Sequence, residues 1–322
     1  MKNVLILGST GFIGRNISEY LSRFNNLKVY GTFNKKRPFL NKNINFIKCN
    51  LLKKKEVEKA LKNKDIIIMA SATSSGAKDI ISKPYVHVTD NSIMNSLILR
   101  SAFELKVKHV IFLSCTVMYR NQKRKTKEKD FNLSKGVYEK YFGQAWMKVF
   151  SEKMCEFYSK ISETKYTIIR HSNIYGPHDK IDINNSHVFG ATINKVILTN
   201  NNQPVIWGDG KETRDLLYVD DLNNFIKKAI YKQKNQFEIF NVGLGKSISI
   251  TDLTKKIARI GEKKIYIKYD LSKQKLNNNI TLDCTKAKKI LNWKPKYKLD
   301  LGIKKTLDWY KKNYIKMNSI NN

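Results

Sequence analysis

Gly8, Gly11 and Gly14 follow the apolar run Val4, Leu5, Ile6, Leu7, and an amphipathic stretch through Phe12, Ile13, Ile17, Tyr20 and Leu21 comes after them. This order reads as a strand, a glycine turn and a helix. The turn presents backbone N–H groups at a helix N-terminus, where the helix dipole favours a pyrophosphate. Gly8 lets the chain turn, Gly11 lets the backbone touch a phosphate, and Gly14 lets helix pack on strand. Thr10, Phe12 and Ile13 belong to the same turn and helix start. They join Asn50 and Leu51, just past a later strand, as candidate cofactor-binding residues. A dinucleotide fold selects its cofactor at the end of the second strand, where a carboxylate bonds the ribose 2′-hydroxyl and repels a 2′-phosphate. Here that strand ends Phe33-Asn34-Lys35-Lys36-Arg37, without a carboxylate. NADP(H) is therefore the expected cofactor, with Asn34, Lys35 and Arg37 around the 2′-phosphate. NAD(H) is the alternative, because cations crowd the whole chain.

Such a turn needs a sheet to hold it. Strand patterns at 28–33, 44–48, 65–69, 109–113 and 166–170 alternate with helical ones, including 87–105 and 141–160. Alternation of this kind predicts an α/β fold, a Rossmann-type doubly wound parallel sheet with a smaller C-terminal substrate-binding domain. The expected division is 1–172 for dinucleotide binding and 173–322 for the substrate, with about 216–242 returning to the first unit. Short helices are expected at 188–198, 220–231, 251–260, 285–291 and 301–310. Asp220 and Asp221 read as the N-cap of one of them. The hydrophilic stretch 120–129 reads as a mobile loop, and 316–322 as a disordered tail.

The chain has 322 residues, 41% of them hydrophobic, and a net charge of +34. Its apolar runs fall short of the roughly 20 residues of a membrane helix. The first strand begins at once, leaving no room for a leader. Cys49, Cys115, Cys155 and Cys284 lie at neither metal nor disulfide spacing, which fits a reducing cytoplasm and no bound metal. The lysines are dispersed along solvated faces with no aromatic–basic motif, so no dedicated nucleic-acid or membrane partner is expected. A positive field would attract an anionic nucleotide.

Four segments carry a resemblance: NIYGPHDKIDINNSHVFG (173–190), VIWGDGKETRDLLYVDDL (205–222), FNVGLGKSISITDL (240–253) and LNWKPKYKLDLGIKKTLDWY (291–310). With the glycine turn they make the chain resemble, over nearly its full length, the extended short-chain dehydrogenase/reductase family that acts on nucleotide sugars. The second half is most similar to the GDP-L-fucose synthase group. The resemblance implies a nucleotide-diphosphate sugar as partner and a homodimer built through helices of the first domain. It implies His187 as the general acid, a task an imidazole suits. It also implies Lys195, Trp207 and Arg214 as substrate contacts. Asn173, at a strand's carboxyl end, should lie near the nicotinamide and the substrate.

The family's Ser/Thr, Tyr and Lys are only partly matched. Lys148 matches the Lys, but Gln144 stands four residues before it where the family has Tyr. An amide cannot ionise. In FLSCTVMY (112–119) the serine's place, four before Tyr119, is taken by Cys115, with Ser114 and Thr116 beside it. Thr116 can supply the missing hydroxyl after a small shift. Tyr141, seven residues before Lys148, is the nearest phenol and the candidate acid, provided the helix begins late or bends. Three functions compete. The first is NAD(P)-dependent reduction or epimerisation of a GDP-4-keto-6-deoxy sugar. The second is NAD-dependent 4-epimerisation, dehydration or 4-dehydrogenation carried by Lys148, Cys115 and His187. The third is an NADP(H)-binding regulatory protein that has lost the acid.

Overall fold

The structure, a computed structural model, describes residues 1–73, 84–181, 186–198, 202–273 and 279–318. In chain order the first half reads β1 (Lys2–Leu7), α1 (Phe12–Leu21), β2 (Leu27–Phe33), β3 (Ile44–Lys48), α2 (Lys54–Leu61), β4 (Ile66–Met69), α3 (Pro84–Glu104), β5 (His109–Leu113), α4 (Phe142–Ile161) and β6 (Lys165–His171). The second half reads β7 (Asn173–Tyr175), α5 (Val188–Ile193), β8 (Val205–Trp207), β9 (Thr213–Tyr218), α6 (Val219–Lys232), β10 (Phe237–Val242), β11 (Ser247–Ser249), α7 (Ile250–Ile260), β12 (Lys268–Asp270), α8 (Thr285–Leu291) and α9 (Leu299–Asn318).

Seven strands form one parallel sheet in the order β10-β6-β5-β4-β1-β2-β3, the doubly wound Rossmann-type arrangement. Every residue of β4 and β5 is buried, as a sheet covered on both faces requires. One face packs on α1, α6 and α8 through Ile17, Leu21, Phe225 and Leu291. The other packs on α2, α3 and α4 through Val57, Leu61, Ile98, Leu99 and Cys155. The chain leaves this sheet after β6 and returns as β10, which pairs in parallel with β6. Between and after, β7, β9 and β11 form a small sheet. Phe189, Ile193, Leu253, Ile257, Ile303 and Leu307 make a separate core there, under α5, α7 and α9. Among the described residues no helix is long and apolar enough to cross a membrane.

Several local expectations need correction. The pair Asp220-Asp221 does not cap α6, whose N-cap is Tyr218. Asp221 is buried instead, and its carboxylate accepts the Lys296 and Tyr297 N–H groups at 2.8 and 3.0 Å. The stretch 120–129 is pinned rather than loose. The Thr126 N–H donates to the Thr281 carbonyl at 2.8 Å, and the Thr126 carbonyl accepts from Asp283 N and Asn241 Nδ2. The helical pattern 188–198 is α-helical only to Ile193, and a π-helical turn completes it over Asn194–Leu198. The tail expected to be disordered is helical through Asn318, and 319–322 lie outside the described residues.

Candidate active site

At the carboxyl end of β1 the glycine turn is tightly determined. Gly8 has φ +80°, and a Cβ there would stand 2.7 Å from the Ser71 Cα. A Cβ on Gly14 would stand 2.2 Å from the Gly8 carbonyl oxygen, so α1 rests directly on the turn. A Cβ on Gly11 would meet only that same oxygen, at 3.4 Å, and otherwise open space. Gly11 is also the N-cap of α1, with no side chain capping the helix and no acid in its first turn. An uncapped N-terminus beside an unobstructed glycine fits a pyrophosphate. Thr32 of β2 steadies the turn, accepting from Gly8 N at its hydroxyl (2.9 Å) and from Ser9 N at its carbonyl (3.0 Å). Thr10 is half-buried in the turn, and Phe12 and Ile13 pack their side chains against the core. Asn34, Lys35 and Arg37 stand exposed beyond β2. Next to them Leu51 is buried, while the Asn50 side chain is engaged in its own turn, accepting from Leu52 N at 3.1 Å.

At the carboxyl end of β5 the Lys148 ammonium of α4 donates to the Leu113 carbonyl at 2.9 Å and sits 4.8 Å from the Phe112 ring. Burial holds its pKa below the ordinary lysine value. Cys115, two residues past Leu113, is half-buried; burial raises its thiol pKa, and the Lys148 charge opposes that rise. Thr116 is half-buried beside it, its carbonyl accepting from Tyr119 N at 3.0 Å. Ser114 is committed elsewhere. Its hydroxyl is buried and donates to Glu152 at 2.5 Å. Glu152 also takes the Arg170 guanidinium at 2.6 Å, in an ion pair exposed by only 4% on either side. Arg170 reaches on to the Tyr119 hydroxyl at 3.0 Å, which donates to Asn241 at 2.7 Å. This buried chain locks α4 onto β5, β6 and β10, and so fixes where Lys148 points.

Gln144 lies half-buried one turn before Lys148. The α-helix begins at Phe142, so Tyr141 is its N-cap and not a residue two turns up the same face. Its ring packs against the cluster of Met118, Val137, Ala145 and Val149, 6.0 Å from the Tyr138 ring.

His171, the last residue of β6, belongs to none of the motifs above. Its Nδ1 lies 2.7 Å from the Ser172 carbonyl. The β5–β6 pairing ends at Leu113 and Ile169, so His171 lies just beyond the paired strand ends, near Lys148. Burial, then the nearby Lys148 and His187, push its pKa down to about 4. The signal was available, an imidazole at a strand's carboxyl end two residues before Asn173.

Asn173 begins β7, and its amide donates to the Asp215 carbonyl at 3.4 Å. His187 is the N-cap residue of α5 and contributes no capping bond. It is exposed by area yet closely surrounded, and partial desolvation, then Lys180, lower its pKa. Lys195 lies in the π-helical turn, donates to the Val205 carbonyl at 2.8 Å and sits 5.5 Å from the Trp207 ring. Trp207 is 52% exposed. Arg214 bonds Glu212 at 3.0 Å and the Thr213 carbonyl at 2.9 Å, on β9 two residues before the partner of Asn173. The fold thus gathers Lys148, Cys115, His171, Asn173 and His187. Lys195 and Trp207 form a second group, and Arg214 stands at the edge of the first. Lys35 and Arg37 lie at the far end of the sheet, where a dinucleotide's adenosine half belongs.

Known proteins resemble this arrangement over nearly the whole chain. GDP-L-colitose synthase of Yersinia pseudotuberculosis is 29% identical, covering 95% of this chain and 97% of its own. GDP-L-fucose synthase of Sinorhizobium fredii is also 29% identical, over 83% of this chain and 86% of its own. The crystal structure of UDP-glucose 4-epimerase with UDP-glucose from Thermotoga maritima superposes with a TM-score of 0.86 at 26% identity, covering 97% and 99% of the two chains. Residues 4–243 match the NAD dependent epimerase/dehydratase family, and the chain belongs to it.

Proposed function

We propose that the protein moves a hydride and a proton at a ring carbon of a nucleotide-diphosphate sugar, reducing or epimerising a GDP-4-keto-6-deoxy sugar. The observation that carries this reading is the Lys148 ammonium, fixed on the Leu113 carbonyl near Cys115 and His171 at the carboxyl ends of β5 and β6, where Asn173 begins β7. A nicotinamide cofactor, when bound, supplies or takes the hydride. The glycine turn holds its pyrophosphate, with Gly8, Gly11, Gly14 and the start of α1 as the cradle. Lys35 and Arg37 hold a 2′-phosphate, which makes NADP(H) the preferred form. Lys148 keeps the site positive, and the Thr116 hydroxyl and Gln144 amide orient the reacting oxygen. His187 supplies a proton to the sugar ring during epimerisation. Lys195, Trp207 and Arg214 hold the nucleotide diphosphate, with Arg214 exchanging Glu212 for phosphate oxygens. Two copies associate through α3 and α4, which expose Ile93, Phe142, Phe150, Phe157 and Ile161.

A second reading is 4-epimerisation of a UDP sugar, favoured by the backbone's likeness to the UDP-glucose 4-epimerase. One experiment separates them. Purified protein is mixed with NADPH or NADH and GDP-4-keto-6-deoxymannose, and with NAD and UDP-glucose, following nicotinamide absorbance and the sugar products. Oxidation of NADPH by the GDP sugar supports the reductase. UDP-galactose without net cofactor change supports the epimerase. Faster turnover with NADH would refute the assignment of Lys35 and Arg37.

A further inference from the structure

The chain keeps the lysine of its family's catalytic helix but places Gln144 where the ionisable phenol is expected. A hydride transfer at a hydroxyl-bearing carbon still needs a group that takes and returns the proton. Three titratable side chains are candidates. Tyr141 stands ahead of α4 with its ring packed in an apolar cluster. His187 is exposed at the N-cap of α5. His171 ends β6, two residues before Asn173, within reach of the Lys148 and His187 charges.

We infer that Nε2 of His171 exchanges the proton of the reacting sugar hydroxyl, a proposal that rests on the function proposed above. Its tautomer follows from geometry. The Ser172 carbonyl, 2.7 Å from Nδ1, can only accept, so Nδ1 carries the hydrogen and Nε2 of the neutral ring carries a lone pair. The charged groups that act on the ring are Lys148 from α4 and His187 ahead of α5. Burial and the Lys148 charge keep the imidazole neutral near pH 7, so it begins as a base. In the oxidising direction the sugar O–H bond breaks and its proton goes to Nε2. The hydride on the same carbon leaves to an oxidised nicotinamide, and a carbonyl forms. The ring then holds one proton and the reduced nicotinamide two electrons. Return of both to the carbonyl restores the alcohol. The cationic Lys148 speeds that return by disfavouring the imidazolium.

The test compares wild type, His171→Phe, His171→Gln, Tyr141→Phe and His187→Asn. General acid–base catalysis contributes about 10²- to 10⁴-fold. Both His171 variants should therefore lose about a hundredfold or more in kcat, with KM for the sugar within about threefold. Dinucleotide affinity, set at the distant glycine turn, should be retained and shows that the variants fold. The acid limb of the kcat profile should vanish in His171→Gln and persist in Tyr141→Phe. Independently of turnover, the nitrogen-15 imidazole signal missing from His171→Gln should report the Nδ1–H tautomer at pH 7 and move when UDP-glucose or GDP-4-keto-6-deoxymannose is added. Full kcat in both His171 variants, alongside an active wild type, overturns the inference alone. So does an Nε2–H tautomer. A wild type inactive on GDP, UDP and dTDP sugars overturns the proposed function and this inference with it.

Discussion

Two glycines three residues apart should fail in opposite ways when each is changed to alanine. Gly14→Ala places a methyl 2.2 Å from the Gly8 carbonyl oxygen. That oxygen has little room to retreat, because Gly8 is held at φ +80° and packs so closely on Ser71 that even a Cβ there would stand 2.7 Å from the Ser71 Cα. Alanine gains about 1 kcal/mol of intrinsic helix propensity. Overpacking costs about 1–3 kcal/mol, and a contact onto fixed backbone falls at the top of that range, leaving about 2 kcal/mol of net destabilisation. Gly11→Ala meets only an ordinary contact at 3.4 Å, at φ −78°, which alanine adopts freely. Its cost to folding is about 0.5 kcal/mol, the difference between glycine and alanine at an N-cap. Its methyl nevertheless occupies the face on which a pyrophosphate would rest, which should weaken dinucleotide binding tenfold or more, about 1.4 kcal/mol. Urea unfolding and a fluorescence titration with NADPH, on all three proteins, read both quantities. Unchanged NADPH affinity in Gly11→Ala would refute the phosphate cradle, and wild-type stability in Gly14→Ala would refute the packing argument.

Arg170→Met strands the buried Glu152 carboxylate with only the Ser114 hydroxyl, and should destabilise the fold by about 3–5 kcal/mol in urea; a loss under 1 kcal/mol would mean that the pair does not lock α4 in place. Phe150→Asp with Phe157→Asp puts charges on an exposed apolar stretch of α4 and should convert a dimer into a monomer in light scattering; an unchanged mass would place any interface elsewhere. His109 is buried, with its pKa pushed down to about 3 by desolvation and then by Lys165 and Lys2, and its Nε2 bonds the Thr167 hydroxyl at 2.8 Å. The unfolded chain therefore takes up a proton below about pH 6.5 that the folded chain refuses until about pH 3. Stability should fall as the pH is lowered through that window, and less steeply in His109→Gln; equal slopes would rule His109 out as a cause.

What the sequence alone determined was local or repeated. The glycine turn was legible because strand, turn and helix are contiguous, so spacing carries the geometry. The parallel sheet was legible because buried strands read as apolar runs such as Ile66 to Met69. Lys148 stood out because a helix carries its own register. Contacts between distant segments could not be read, since no local pattern encodes a partner far along the chain. Asp221 looked like a helix cap and proved to hold the segment at Lys296 and Tyr297. Ser114 looked like a spare hydroxyl and proved to be bound to Glu152, which only the approach of α4 to β5 reveals. The 120–129 stretch looked loose because many of its polar groups find partners far along the chain, in β6, β10 and the 279–283 segment. His171 is the sharpest case. Its residue type was visible, but the carbonyl that sets its tautomer and the lysine beside it come together only when β5, β6 and α4 converge.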